Sequence, residues 1–156
     1  MYDESKLVLY RAGTQHIDAL LEGITSLPMR HSVFLDGIPE RNAVERIIND
    51  PANYVFLTYY EGELMGYSLC NFRTSATADF HWGVCRKHKY ITKMIKQSFN
   101  VIKEMPVNFL GFVPEDNVLS KKITEKIGFE YVGVIKNYYK GGLDALMYQY
   151  SNKGEV

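Results

Sequence analysis

Asp79 and His81 stand two residues apart in the run Ala-Asp-Phe-His-Trp-Gly-Val-Cys. On an extended strand that spacing puts both side chains on one face. An imidazole with an ordinary pKa of about 6.5 can take a proton near neutral pH, and a neighbouring carboxylate is a second candidate base. The same pair also fits a satisfied strand histidine beside a solvated strand-end acid. Cys85 follows, then Arg86-Lys-His-Lys-Tyr90-Ile-Thr92. Six Lys or Arg residues (Arg86, Lys87, Lys89, Lys93, Lys96, Lys103) lie between Phe80 and Lys103, with no Asp or Glu among them. A strand feeding a helix leaves free backbone N–H groups and the positive dipole end at the junction. Cations added there suit a phosphate-bearing ligand. A solvated basic face on a surface helix produces the same pattern. Cys85 has no His/Asn partner arrangement for nucleophilic work and reads as structural.

The elements that must hold these residues are a strand and a helix. Phe80, Trp82 and Val84 alternate with Asp79, His81, Gly83 and Cys85, the period of a strand. Ile91, Met94, Ile95, Phe99, Ile102 and Met105 recur at helical steps, with Lys93, Lys96, Gln97 and Lys103 on the opposite face. Before this unit the pattern predicts a strand over Lys6–Arg11, a helix capped by Thr14 with Ile17, Leu20, Leu21 and Ile24 inward, and a poorly legible stretch Ser26–Gly37. A second helix is expected from near Pro39, then a hairpin of Tyr54–Tyr60 and Leu64–Phe72 around Glu61-Gly62. After it come a strand Val107–Phe112, a helix from Val118 to Ile127 closed by Gly128, and strands Phe129–Tyr138 and Leu143–Tyr150 around Lys140-Gly141-Gly142. Hairpin-linked strands followed by two strand–helix–strand crossovers predict an α/β (α+β mixed) domain over residues 1–156. Its sheet is mixed, mostly antiparallel and seven-stranded, with about four helices on both faces.

The 156 residues carry 18 basic and 18 acidic side chains, and this balance argues against a general nucleic-acid binder. Two cysteines without CxxC spacing point to a reducing, cytoplasmic setting. The first residues contain acids and no long apolar run, so neither a signal peptide nor a membrane anchor is expected. His16, His31 and His88 lack partners at ligand spacing, so no metal is expected.

The segment Asn117-Val-Leu-Ser120-Lys-Lys-Ile-Thr124-Glu-Lys-Ile-Gly128-Phe129, leading into Glu130–Ile135, resembles the Asn-x-x-[Ala/Ser] helix and Gly-Phe strand of GNAT-superfamily N-acetyltransferases. The element order resembles that family along nearly the whole chain. The resemblance implies a GNAT-like fold whose fourth and fifth strands splay apart around the pantetheine arm of acetyl-CoA, the cosubstrate. It implies cofactor contacts from Val84, Arg86, Lys87, His88, Lys89, Tyr90, Thr92, Asn117 and Ser120, with the Val84 N–H polarising the thioester carbonyl. Lys87, Lys89 and Lys93 become candidates for phosphate contacts. It makes Asp79 or His81 the catalytic base and a small-molecule or protein amine the acceptor. Asn117 is equally a plain helix cap. Two departures stand against the match. The loop from Arg86 to Thr92 has none of the glycines usual in the family's pyrophosphate loop, and Thr124 stands where many members place a tyrosine acid. These departures also fit a GNAT-like module that no longer catalyses. Such a module resembles phage-encoded GNAT-like proteins, with a homo-oligomer or virion assembly as partner.

Overall fold

A computed structural model describes residues 1–25 and 40–151. The elements are β1 (Leu7–Arg11), α1 (Ile17–Thr25), α2 (Arg41–Asn49), β2 (Asn53–Tyr60), β3 (Glu63–Phe72) and β4 (Thr77–Val84). They continue with α3 (Ile91–Ile102), β5 (Asn108–Pro114), α4 (Val118–Lys126), β6 (Glu130–Tyr139) and β7 (Leu143–Tyr150). Seven strands form one sheet in the order β1-β2-β3-β4-β5-β7-β6. Every neighbouring pair is antiparallel except β4 and β5, which are parallel. This is the mixed, mostly antiparallel α/β sheet that the alternation of patterns predicts.

The period of two divides each strand between two cores. Val55, Leu57, Tyr67 and Leu69 pack with Ile17, Leu20 and Ile24 of α1 and Val44 of α2. Cys70, Ala78, Phe80 and Phe109 pack on the other face with Phe99 and Ile102 of α3 and Ile123 of α4. Phe99 is the hub of the second core. Its ring lies 5.0 Å from Phe80, 5.5 Å from Phe109 and 5.2 Å from Phe129. Helices therefore cover both faces, and β4, in the middle, separates them.

Some boundaries differ from the sequence reading. Strands β1, β5 and β6 each begin one residue later than expected, and α3 stops at Ile102 rather than reaching Met105. Thr14 is not the cap of α1. It opens a 3-10 turn, Thr14–His16, in which the Gly13 amide donates to His16 Nδ1 at 2.9 Å and the His16 amide donates to the Gly13 carbonyl at 2.9 Å. The imidazole thus does the capping work assigned to the hydroxyl. The expectations on Ser26–Gly37 and Pro39 lie outside the described residues. Gly128 matches its expected role. Its φ is +106°, its amide donates to Glu125 O, and the Phe129 amide donates to Thr124 O, so the exposed carbonyls at the end of α4 are satisfied.

Candidate active site

Backbone pairing between β4 and β5 runs only through Thr77–Asn108, Ala78–Phe109 and Asp79–Leu110. Beyond Asp79 both strands continue, to Val84 and Pro114, but they no longer pair. The β5-facing N–H and C=O groups of this half of β4 therefore lack a strand partner, and backbone groups of that kind demand one. A cavity of about 220 Å³ fills the gap. Phe80 and Trp82 of β4, Gly111 and Val113 of β5, Ser120 and Thr124 of α4, and Ile127 and Phe129 line it from the α3/α4 side. His81, Phe112 and Tyr138 line it from the other side, and Tyr139 is also on its wall. The cavity is therefore lined from both faces of the sheet.

The two candidate bases separate here. His81 is half-buried and on the cavity wall. Burial holds its pKa below the ordinary histidine value, and the positive charge of Arg73 adds to this while Asp79 opposes it. The imidazole is therefore neutral at pH 7 and ready to accept a proton. Asp79 is not on the cavity wall. It is 2% exposed and occupies the last paired position of β4. Arg73 Nε donates to its Oδ2 at 2.5 Å, while Oδ1 has no hydrogen-bond partner among the described residues. Arg73 reaches it from the β3–β4 connection, where the Arg73 amide donates to Thr77 O at 2.9 Å. A carboxylate committed to a guanidinium anchors the strand and biases His81.

The strand-to-helix corner also sorts its residues. Val84 pairs with Gly66 of β3, and the Cys85 amide donates to Met65 O at 2.8 Å, which ends the strand. The Cys85 thiol is 1% exposed, and burial pushes its pKa up to about 12, so it stays protonated and structural. Arg86 has an acidic neighbour that the local sequence does not reveal. It pairs with Glu63 Oε1 at 3.2 Å, and both side chains are half exposed. His88 serves the turn: its Nδ1 accepts from the Tyr90 amide at 3.1 Å and its carbonyl accepts from the Ile91 amide at 3.1 Å. Tyr90 packs 5.3 Å from Tyr2 and 5.7 Å from His88. Lys89 and Lys93 hold their Nζ atoms 5.0 and 5.6 Å from its ring. The aromatic ring thus pins two cations at the start of α3, where no acidic residue sits in the first turn and Tyr90 gives no side-chain cap. Among the described residues the Thr92 and Lys93 amides have no backbone acceptor, so the corner keeps donors for an anion. Lys87 is exposed and lines a shallow groove against Ala19, Glu22 and Gly23 of α1.

At the far wall Asn117 caps α4. Its Oδ1 accepts from the Ser120 amide at 3.1 Å, and it is Ser120 that reaches the cavity. Thr124 is 4% exposed and donates its hydroxyl to Ser120 O at 2.7 Å. Sequence reasoning missed Arg73 and Phe112. Both owe their roles to strand register, which local patterns do not encode. Among the described residues no three His, Cys, Asp or Glu side chains group around a metal position.

No protein-family model matches the chain, and no curated protein matches its sequence. Solved structures do. An acetyltransferase from Salmonella typhimurium that modifies the N-terminal serine of a 50S ribosomal subunit protein superposes with a TM-score of 0.78 at 17% identity, covering 96% of both chains. From the same organism yncA, a proposed acetyltransferase solved with its cofactor acetyl-CoA, gives 0.75 at 14% identity over 97% of both chains. A chimeric spermidine N-acetyltransferase from Vibrio cholerae and hSSAT gives 0.74 at 15% identity, covering 92% of this chain and 94% of that one. Nothing among these structures points to an assembly module or a phage component. With the splayed β4 and β5 and the C-terminal helix–glycine–strand unit in place, the chain has the fold of the GNAT acetyltransferases.

Proposed function

We propose that this protein transfers an acetyl group from acetyl-CoA to an amine. The observation that carries the reading is the end of β4–β5 pairing at Asp79–Leu110, with an open cavity beyond it. The residues fit the cosubstrate at three points. The unpaired edge of β4 from Phe80 to Val84 offers backbone groups to the amides of a pantetheine arm. Lys89, Lys93 and the first-turn amides of α3 offer a cationic corner to the diphosphate. Ser120 and the start of α4 close the other side.

The chemistry asks little of the protein. His81 takes a proton from the bound ammonium, which frees the nitrogen lone pair. The nitrogen bonds to the thioester carbonyl carbon, the C–S bond breaks, and one proton ends on the departing thiol. The Val84 N–H is the candidate donor to the carbonyl oxygen, in the manner of an oxyanion hole. Thr124 gives its hydroxyl proton to Ser120 O and takes no part in this transfer.

Calorimetry with acetyl-CoA, paired with thiol release across a panel of amines, tests the reading. Saturable heat and amine-dependent thiol release support it. Absence of heat at millimolar acetyl-CoA overturns it. The cavity and the cationic corner support the acetyl-transfer reading over the inactive-module alternative despite the missing glycines.

A further inference from the structure

Three residues of β6, 136–138, stand opposite the single Asp144 of β7, because the register jumps from Ile135–Ala145 to Tyr139–Leu143. A bulge of this kind re-aims side chains. Asn137, at φ +52°, makes the bend. Asp144 fixes it by accepting from the Asn137 amide at 3.0 Å and from Lys136 Nζ at 2.8 Å. The consequence is that Tyr138 leaves its own strand pair and lies over β5. Its ring stacks on Phe112 at 5.4 Å and 3°, and Phe112 in turn faces His81 at 6.4 Å and 22°. Tyr138 remains 37% exposed, so one edge of this aromatic row is open to solvent at the mouth of the cavity.

Charge completes the picture. No Asp, Glu, Lys or Arg lines this cavity among the described residues. A second ammonium entering it would lose its water without gaining a carboxylate, which is costly. A flat apolar body would meet rings on its way to His81. Given the acetyl-transfer reading, we propose that Tyr138 determines acceptor choice. The favoured acceptor carries one amino group on a ring-bearing apolar body, and polyamines are disfavoured.

Trp82 is the chain's one tryptophan and lies on the cavity wall, so its emission reports occupancy without turnover. The test titrates 2-phenylethylamine, n-butylamine and spermidine into the protein saturated with coenzyme A. The expected result is half-saturation by 2-phenylethylamine at about tenfold lower concentration than n-butylamine, with spermidine weakest. Tyr138→Ala should collapse that ratio toward one and Tyr138→Phe should keep it, with thermal melts confirming that both variants fold. Tighter binding of spermidine, or an undiminished ratio in Tyr138→Ala, overturns the proposal. A Phe-initiated peptide amide tests the source of the ring: binding like 2-phenylethylamine assigns the site to peptide N-termini as well, and failure restricts it to small amines. Failure of the acetyl-transfer reading would appear separately, as amine binding in these titrations with no thiol release when acetyl-CoA replaces coenzyme A.

Discussion

The two halves of β4 have opposite fates although they share one strand. At Ala78 and Asp79 the strand is paired on both sides, Ala78 is buried, and the one acid is tied to Arg73. From Phe80 to Val84 it is paired only to β3, and Phe80, His81 and Trp82 line a cavity. The first half spends its backbone and side chains on stability. The second withholds backbone groups from the sheet and keeps a neutral imidazole at the opening. A site of this type forms where a fold stops satisfying itself, and the buried half allows the open half to persist.

The largest effect that would sharpen this contrast lies in the paired half. Phe109, opposite Ala78 and 0% exposed, should lose about 3–5 kcal/mol of stability on Phe109→Ala, read by urea denaturation. Truncating a side chain on the open half should cost less stability and more function. His81→Gln should lower the rate of thiol release by about 10²-fold while acetyl-CoA still binds. The pH dependence follows from the lowered pKa of His81. In the wild type the acid limb of the rate should fall below about 6.5, where the imidazole protonates. Folding stability linked to His81 is fully present above that value and is lost as pH falls through the lower folded-state pKa, a loss His81→Gln should remove.

The ion pair of the closed half offers an asymmetric test. Arg73→Ala strands a buried carboxylate and should cost about 2 kcal/mol or more. Asp79→Asn leaves only an arginine that is 58% exposed at its side chain and should cost about 1 kcal/mol or less. Equal losses would break the claim that Asp79 is a buried structural anchor. The smallest effect belongs to the cationic corner. Lys89→Ala or Lys93→Ala should weaken acetyl-CoA binding several-fold, and the difference from wild type should shrink as salt rises within the screening range of about 10 Å at 0.1 M.

Much of this was legible from residue patterns. The helical period of Ile91–Ile102, the cap at Asn117 and the left-handed Gly128 are local features, and each is where the pattern puts it. The pairing of Asp79 and His81 on one face is equally local. What the sequence hides is where strands stop pairing. Nothing in Phe80 or Gly111 marks Asp79–Leu110 as the last rung, so the pattern cannot tell the ion-paired residue from the one on the cavity wall. The partner of Asp79 comes across a turn and the partner of Arg86 from the next strand. The Lys136–Tyr138 bulge depends on a carboxylate in the following strand. Each of these depends on how the chain pairs across a turn or between strands, which the pattern of residue types does not show.

The central claim is that the open half of β4 receives the acyl-bearing arm of acetyl-CoA. Trp82 emission during a titration tests it most directly, with adenosine 3′-phosphate 5′-diphosphate, which lacks the arm, as the comparison ligand. The account predicts a saturable change with acetyl-CoA and little or none with the comparison ligand, although calorimetry detects both. Equal changes from the two ligands, or no change with acetyl-CoA, would contradict it.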